Sequence, residues 1–266
     1  MSKFDLTPRL KLGNFLAVAQ GIADYGVTHT ITDTPYLKRT HENQRRGGGK
    51  EGHHSARPLD FNHITPEQRA AYAAEIARIT QRWGIVFTDD RGYEGWCVDL
   101  EAAGMEVVRQ LWWVRGTLDL VDAVRVTRGR KGSPQFTGDR PAQGGELMVL
   151  AHAKARRPNA KTPVPPRMSW NGRGARTDGT GGITGCGSVY YADIEIEGRM
   201  HDTQKPLALM RELVRDFTRP GDLVFDGFAG LGTTLLAAKL EGRRSFGVEQ
   251  SAKHYRNAAA RVGAAT

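Results

Sequence analysis

Leu223-Val224-Phe225-Asp226-Gly227-Phe228-Ala229-Gly230-Leu231-Gly232-Thr233-Thr234 is the stretch whose reading decides the fold. A short apolar run ends in an acid, a glycine-rich turn follows, and a helical stretch from Thr233 to Glu241 is closed by Gly242. In a doubly wound sheet this strand, turn and helix form the layout at whose carboxyl edge an adenosine-bearing cofactor binds. Gly230 and Gly232 let the backbone approach a ligand and turn steeply into the helix. Arg244 to Val248 reads as the next strand and ends at Glu249, 23 residues after Asp226. A carboxylate there can accept from both hydroxyls of a ribose. Glycines serving only a tight strand-to-helix turn would leave the same pattern.

Working outward, the rest of the chain alternates between the two periodicities. Lys11 to Tyr36 reads as a short strand or turn at Leu12-Gly13-Asn14, a helix-like stretch from Phe15 to Ile22, and a strand ending at Asp33. Thr65-Pro66-Glu67-Gln68 supplies an N-cap, a first-turn proline and a glutamine three residues on; Tyr72, Ile76, Ile79 and Trp83 then recur at helical spacing. Ile85 to Thr88, followed by Asp89-Asp90, reads as a buried parallel strand. Tyr93 to Ala103 reads as helix, Glu106 to Val114 as strand, and Glu146 to Ala153 as another strand-like run. Trp112 and Trp113 are adjacent and face opposite sides of their strand, so at least one belongs to the core. Leu207, Met210, Val214 and Phe217 make the stripe of a helix over Thr203 to Thr218, stopped by Pro220-Gly221, and Ser251 to Val262 closes the chain as helix. The expected fold is α/β: a Rossmann-like, mostly parallel sheet with helices on both faces. Residues 154–187, rich in proline, glycine and arginine, form an irregular insertion.

Asp33-Thr34-Pro35-Tyr36 directly follows the strand-like run Thr28 to Thr32, and an acid and an aromatic on a tight turn can grip a planar amine. An ordinary Asx or proline turn has the same composition. With 266 residues and 39% apolar content, the chain can build one large domain carrying an insertion. No stretch approaches the roughly 18 apolar residues of a membrane span, and Met1 to Asp5 lacks the apolar core of a signal peptide, so a cytoplasmic location is expected. Cys97 and Cys186 stand alone, and His53-His54 has no partnering carboxylates, so no metal site or disulfide framework is expected.

The net charge of +9 is segregated. Residues 37–58 carry a net +4 and residues 125–176 a net +10, leaving an acidic remainder. Two basic segments on an acidic scaffold are the footprint of a polyanion binder, although solvated arginine loops give the same count.

The run from Asp226 to Thr234, the later Gly247-Val248-Glu249, and His201-Asp202-Thr203-Gln204-Lys205-Pro206 resemble the DNA amino-methyltransferases of the beta order, in which the target-amine motif precedes the cofactor half. The recognisable motifs cover about residues 10–36 and 200–262. The resemblance implies S-adenosylmethionine as cofactor, with Phe228, Gly230, Gly232 and Thr233 lining it, Asp226 near its amino group and Glu249 on the ribose. Thr203 and Lys205 would meet its carboxylate end, and Asn14 stands where the family has an Asp reading the adenine. Asp33 and the carbonyl of Thr34 would accept from an exocyclic amine, Pro35 would set the turn and Tyr36 would stack on a flipped-out base. Three positions depart from the family pattern: Thr34, Asp202 and Gly227 each replace a proline.

An aspartate at position 33 leans, by resemblance, toward N6 of adenine. Transfer to N4 of cytosine or to RNA, and a catalytically degenerate DNA-binding protein, are the alternatives. Residues 1–124 and 201–266 would make the two parts of one catalytic domain, and 125–200 a target-recognition region. Double-stranded DNA is the implied partner, contacted by Lys38, Arg39, Arg45, Arg46 and Lys50 from a loop over 37–63, and by Arg128, Arg130, Lys131 and Arg173 from the insertion. Trp170 and Asn171 are candidates to probe base edges. A homodimer, a cognate restriction nuclease and a phage or host setting are further partners and settings that the resemblance allows.

Overall fold

The computed structural model describes residues 5–36, 63–115, 118–119, 125–126, 144–154, 188–193 and 204–263. In chain order the elements are β1 (Arg9–Leu12), α1 (Phe15–Ala19), β2 (His29–Asp33), α2 (Pro66–Ile79), β3 (Trp83–Thr88), α3 (Tyr93–Ala102), β4 (Met105–Val114), β5 (Leu118–Asp119) and β6 (Arg125–Val126). There follow β7 (Gly145–Ala153), β8 (Val189–Tyr191), α4 (Leu207–Phe217), β9 (Leu223–Asp226), α5 (Thr233–Leu240), β10 (Arg244–Glu249) and α6 (Ala252–Val262).

Eight strands form one sheet in the order β1-β10-β9-β2-β3-β7-β4-β8, and β5 and β6 make a separate two-stranded ribbon. Within the large sheet only β7 runs against its neighbours; the other pairings are parallel. The expected mostly parallel Rossmann-like sheet is therefore present. Every residue of β3 is buried, as a strand covered on both faces requires. Alternation then divides its side chains between two cores. Ile85 and Phe87, with Ile31 of β2, pack under Leu209, Leu213 and Phe217 of α4. Val86 turns the other way, toward Tyr72 and Ile76 of α2, Trp96 of α3 and Phe15 of α1. A smaller cluster joins Leu10, Leu235, Ala258 and Val262 near the β1 edge.

Local chemistry fixes the helix boundaries. At α2 the Thr65 hydroxyl accepts from Gln68 N–H while the Gln68 side chain accepts from Thr65 N–H, a reciprocal cap in front of Pro66. Helix α4 begins at Leu207, later than the expected Thr203. Pro206 caps it in an extended conformation, and a residue preceding proline is pushed out of the helical region, so Lys205 stays on an extended lead-in. Helix α1 is likewise shorter than expected, ending at Ala19. Of the adjacent tryptophans, Trp113 is core and Trp112 is exposed. No described helix is long and apolar enough to cross a membrane.

Close packing of α5 on the sheet depends on Gly247 in β10. A Cβ there would stand 2.9 Å from both Leu235 methyls and 3.0 Å from Ala229 Cβ. Gly247→Ala is expected to cost about 1–3 kcal/mol by overpacking, seen as a lower urea midpoint at unchanged slope. An unchanged midpoint would show that α5 is free to lift from β10.

Candidate active site

Strands β10, β9, β2 and β3 are parallel neighbours, so their carboxyl ends lie along one edge of the sheet and bring the two halves of the sequence pattern together. In register, His29 and Thr30 of β2 pair with Val224 and Phe225 of β9. The Thr32 hydroxyl donates to Asp226 Oδ1 at 2.7 Å, fastening the two motif-bearing strand ends to each other. From β9 the chain continues through α5 to β10 on one side, whereas β2 leads through α2 to β3 on the other. This divergence is the switch point at which open α/β sheets form ligand crevices.

On the β9 and β10 side, Gly230 and Gly232 have φ of +51° and +74°, in the left-handed region that favours glycine. A Cβ on Gly230 would meet nothing within 4 Å, so the turn opens onto free space. Glu249 spans the rim: Oε2 accepts from Gly230 N–H at 2.8 Å and Oε1 from Ser251 N–H at 2.6 Å. Burial pushes its carboxyl upward, against the pull of those backbone donors. Asp226 is buried, and this raises its carboxyl to about 6, although Thr234, Thr32 and Phe228 N–H all favour the ionised form. Phe228 packs on Phe15 and Tyr72, with ring centroids 5.4 and 5.1 Å away.

The other residues expected at a cofactor are placed less simply. Asn14 caps α1, its Oδ1 accepting from Leu16 N–H at 2.9 Å. The Thr233 hydroxyl accepts from Arg261 of α6 at 2.9 Å, an anchor between helices. Thr203 lies outside the described residues, as do Lys38, Arg39, Arg45, Arg46, Lys50, Arg128, Arg130, Lys131, Trp170, Asn171 and Arg173.

The ammonium of Lys205, a residue expected toward the cofactor carboxylate, sits in the Asp33 to Tyr36 turn. Nζ lies 2.7 Å from Asp33 Oδ2 and 2.8 Å from Glu146 Oε2, and donates to the Tyr36 hydroxyl at 3.3 Å. The Tyr36 hydroxyl donates to Glu146 Oε2 at 2.5 Å and stands 3.3 Å from Asp33 Oδ1. Arg115, just past β4, reaches Glu146 Oε1 at 3.1 Å. Two cations thus meet two carboxylates in a nearly closed cluster.

Their protonation follows from that geometry. Burial raises the Asp33 carboxyl, only partly offset by Lys205. Burial would raise Glu146 as well, but Lys205, Tyr36 and Arg115 hold it below the usual range. Lys205 resists the downward push of burial because Asp33 and Glu146 hold its proton. Tyr36, half-buried among carboxylates, is driven far up and stays protonated.

Thr34 is buried, and its hydroxyl donates to the Phe87 carbonyl of β3 at 3.2 Å. The hydroxyl therefore ties the turn to the sheet in place of a proline ring. Sequence reasoning missed Glu146, Arg115 and Thr32. Glu146 carried a signal, a lone acid opening the apolar run to Ala153, but its partners are distant in sequence.

Comparison with known proteins agrees with this fold. The methylase-like protein YubD of Escherichia coli (strain K12) is 39% identical over 66 residues, 25% of this chain and 29% of YubD, so the matching region spans less than a third of that relative. The solved M1.HpyAVI–SAM complex aligns over 96% of this chain and 98% of its own at a TM-score of 0.57 and 20% identity. The cytosine-N4-specific PvuII DNA methyltransferase aligns over 95% and 85% at 0.62 and 13%. At such identities the two structures speak for the fold. The profile of the N6/N4 DNA methylases matches residues 93–260, well over half of the sequence, and the chain belongs to that DNA methylase family.

Proposed function

We propose that this chain is a cytoplasmic, site-specific DNA methyltransferase that moves a methyl group from S-adenosylmethionine to the N6 amine of an adenine flipped out of double-stranded DNA. The observation that carries the reading is the juxtaposition at the switch point: the amine-gripping turn after β2 stands beside the glycine turn after β9, joined by the Thr32–Asp226 bond.

The residues present suit the cofactor. Gly230 opens onto free space, Glu249 offers its remaining lone pairs to a ribose diol, and the buried Asp226 carboxylate gains a counter-charge from an ammonium. Phe228 supplies an apolar edge. Asn14 directs its oxygen at the helix start, leaving its amide N–H groups to donate to a ring nitrogen. When bound, S-adenosylmethionine supplies an electrophilic methyl on sulfonium, released as the sulfur–carbon bond breaks.

An exocyclic amine is a poor nucleophile because its lone pair is delocalised into the ring. Asp33 and the Thr34 carbonyl each accept one N–H, favouring a tetrahedral nitrogen whose lone pair can form the new bond. Asp33 then takes the proton that the nitrogen sheds, and its raised proton affinity suits that task. Tyr36 offers its ring to the base, at an unstacking cost of a few kcal/mol for extrusion from a duplex. Because the Thr34 hydroxyl is spent on Phe87, the choice of base is left to Asp33 and the walls around it. The segment 125–200 serves as target-recognition region, and the basic runs neutralise phosphates.

Purified protein given methyl-labelled S-adenosylmethionine and DNA is expected to yield N6-methyladenine on hydrolysis. N4-methylcytosine would overturn the base assignment, and cofactor binding without transfer would overturn catalysis. Asp33→Ala should lower transfer by about 10²-fold or more with cofactor affinity nearly unchanged, whereas Phe228→Ala should weaken cofactor binding first. The Asp226 carboxyl is ionised above about 6 and neutral below it. Cofactor affinity should therefore fall as pH drops through that value, by up to about tenfold per unit. A flat binding isotherm series across it would remove Asp226 from the ammonium contact.

A further inference from the structure

We propose that Glu146 is a positioning residue for methyl transfer: it takes up the Tyr36 hydroxyl and part of the Lys205 ammonium and so leaves Asp33 able to accept the target amine. The inference rests on the reading of Asp33 as the amine acceptor and assigns the neighbouring carboxylate a task in the same reaction.

Three contacts carry it. The Tyr36 hydroxyl has one proton, and it lies 2.5 Å from Glu146 Oε2 against 3.3 Å from Asp33 Oδ1, so the proton goes to Glu146. Lys205 Nζ is divided almost evenly, 2.8 Å from Glu146 and 2.7 Å from Asp33. Arg115 at 3.1 Å on Oε1 keeps Glu146 ionised in the pocket. Without Glu146, both donors would turn to Asp33, which would become a salt-bridged, doubly hydrogen-bonded carboxylate with weak affinity for the amine. Aromatic faces confine the ammonium: it lies 5.2 Å from the Phe87 ring centroid, 5.5 Å from Tyr36 and 6.0 Å from Trp113. Lys205 therefore has little room to relocate.

A partly buried cluster of four charges is a poor way to gain stability, since apolar side chains of similar volume do as well or better in the interior. Glu146 also stands on β7, paired with Trp113 of β4, and so approaches from the side of the sheet away from the cofactor strands. A change at Glu146 thus reaches Asp33 without touching the Gly230 turn or Glu249.

The test is the pH profile of single-turnover transfer on DNA. Facing Asp33 are Lys205 before α4, Tyr36 in the turn, Glu146 of β7 with Arg115 behind it, and Asp226 of β9, while Asp89 after β3 acts on Tyr36. In Glu146→Gln, Asp33 is paired more fully and holds a proton less tightly. The acid limb should then move to lower pH while the plateau rate falls about tenfold and cofactor affinity is unchanged. Lys205→Met removes the shared cation and should move the acid limb the opposite way, a displacement that a purely structural role does not produce. It also serves as the test should Glu146→Gln fail to fold. Wild-type limbs in both variants would overturn the inference while leaving the enzyme reading intact. Absence of transfer by the wild-type protein, or full transfer by Asp33→Ala, would overturn the reading and the inference with it.

Discussion

The Thr32–Asp226 hydrogen bond is the constraint on which the site depends. Its two residues are 194 positions apart in the chain, yet parallel pairing of β2 with β9 places their strand ends side by side, and the 2.7 Å bond fixes the offset. Everything chemical is hung from those two ends. One carries the acid and carbonyl suited to an amine, and the other carries the glycine turn suited to a nucleoside. A shift of one residue in this register would turn Asp33 to the opposite face of the sheet, because strand side chains alternate. A slip would strand the buried Thr32 hydroxyl without its acceptor, while Asp226 keeps only its bonds to Phe228 N–H and Thr234.

Most of this framework was legible in the sequence because strand ends announce themselves. A strand-like run that stops at an acid marks β2, β9 and β10 without knowledge of the partner strand, with a proline turn after β2 and a glycine turn after β9. The sheet order was not encoded locally in that way, and the antiparallel insertion of β7 between β3 and β4 is a tertiary outcome. Lys205 shows the limit most clearly. Its position beside Pro206 favoured a helix-start reading and a cofactor contact, but proline held it out of α4, and the nearest carboxylates belonged to β2 and β7. Arg115 was invisible for the same reason, and the signal at Glu146, a lone acid opening an apolar run, gained its meaning only where three distant segments converge.

Thr34 and Gly227, two of the three departures from the family pattern, find their explanation in neighbouring packing; Asp202 lies outside the described residues. A proline at 34 would stiffen the turn covalently; threonine reaches the Phe87 carbonyl and couples the turn to β3 directly. A hydrogen bond of this kind is worth about 1 kcal/mol, enough to restrict the turn without fixing φ. At 227 the constraint runs in the other direction. A Cβ there would stand 2.6 Å from Phe15 Cδ2, well inside contact distance, so no residue larger than glycine fits while Phe15 keeps its place. Phe15 in turn packs at 5.4 Å on both Phe228 and Tyr72 and follows the Asn14 cap of α1. Glycine beside Asp226 is therefore coupled to the aromatic cluster that buttresses Phe228. The rigidity that a proline would have given to the backbone is supplied from the side, by rings packed against the turn.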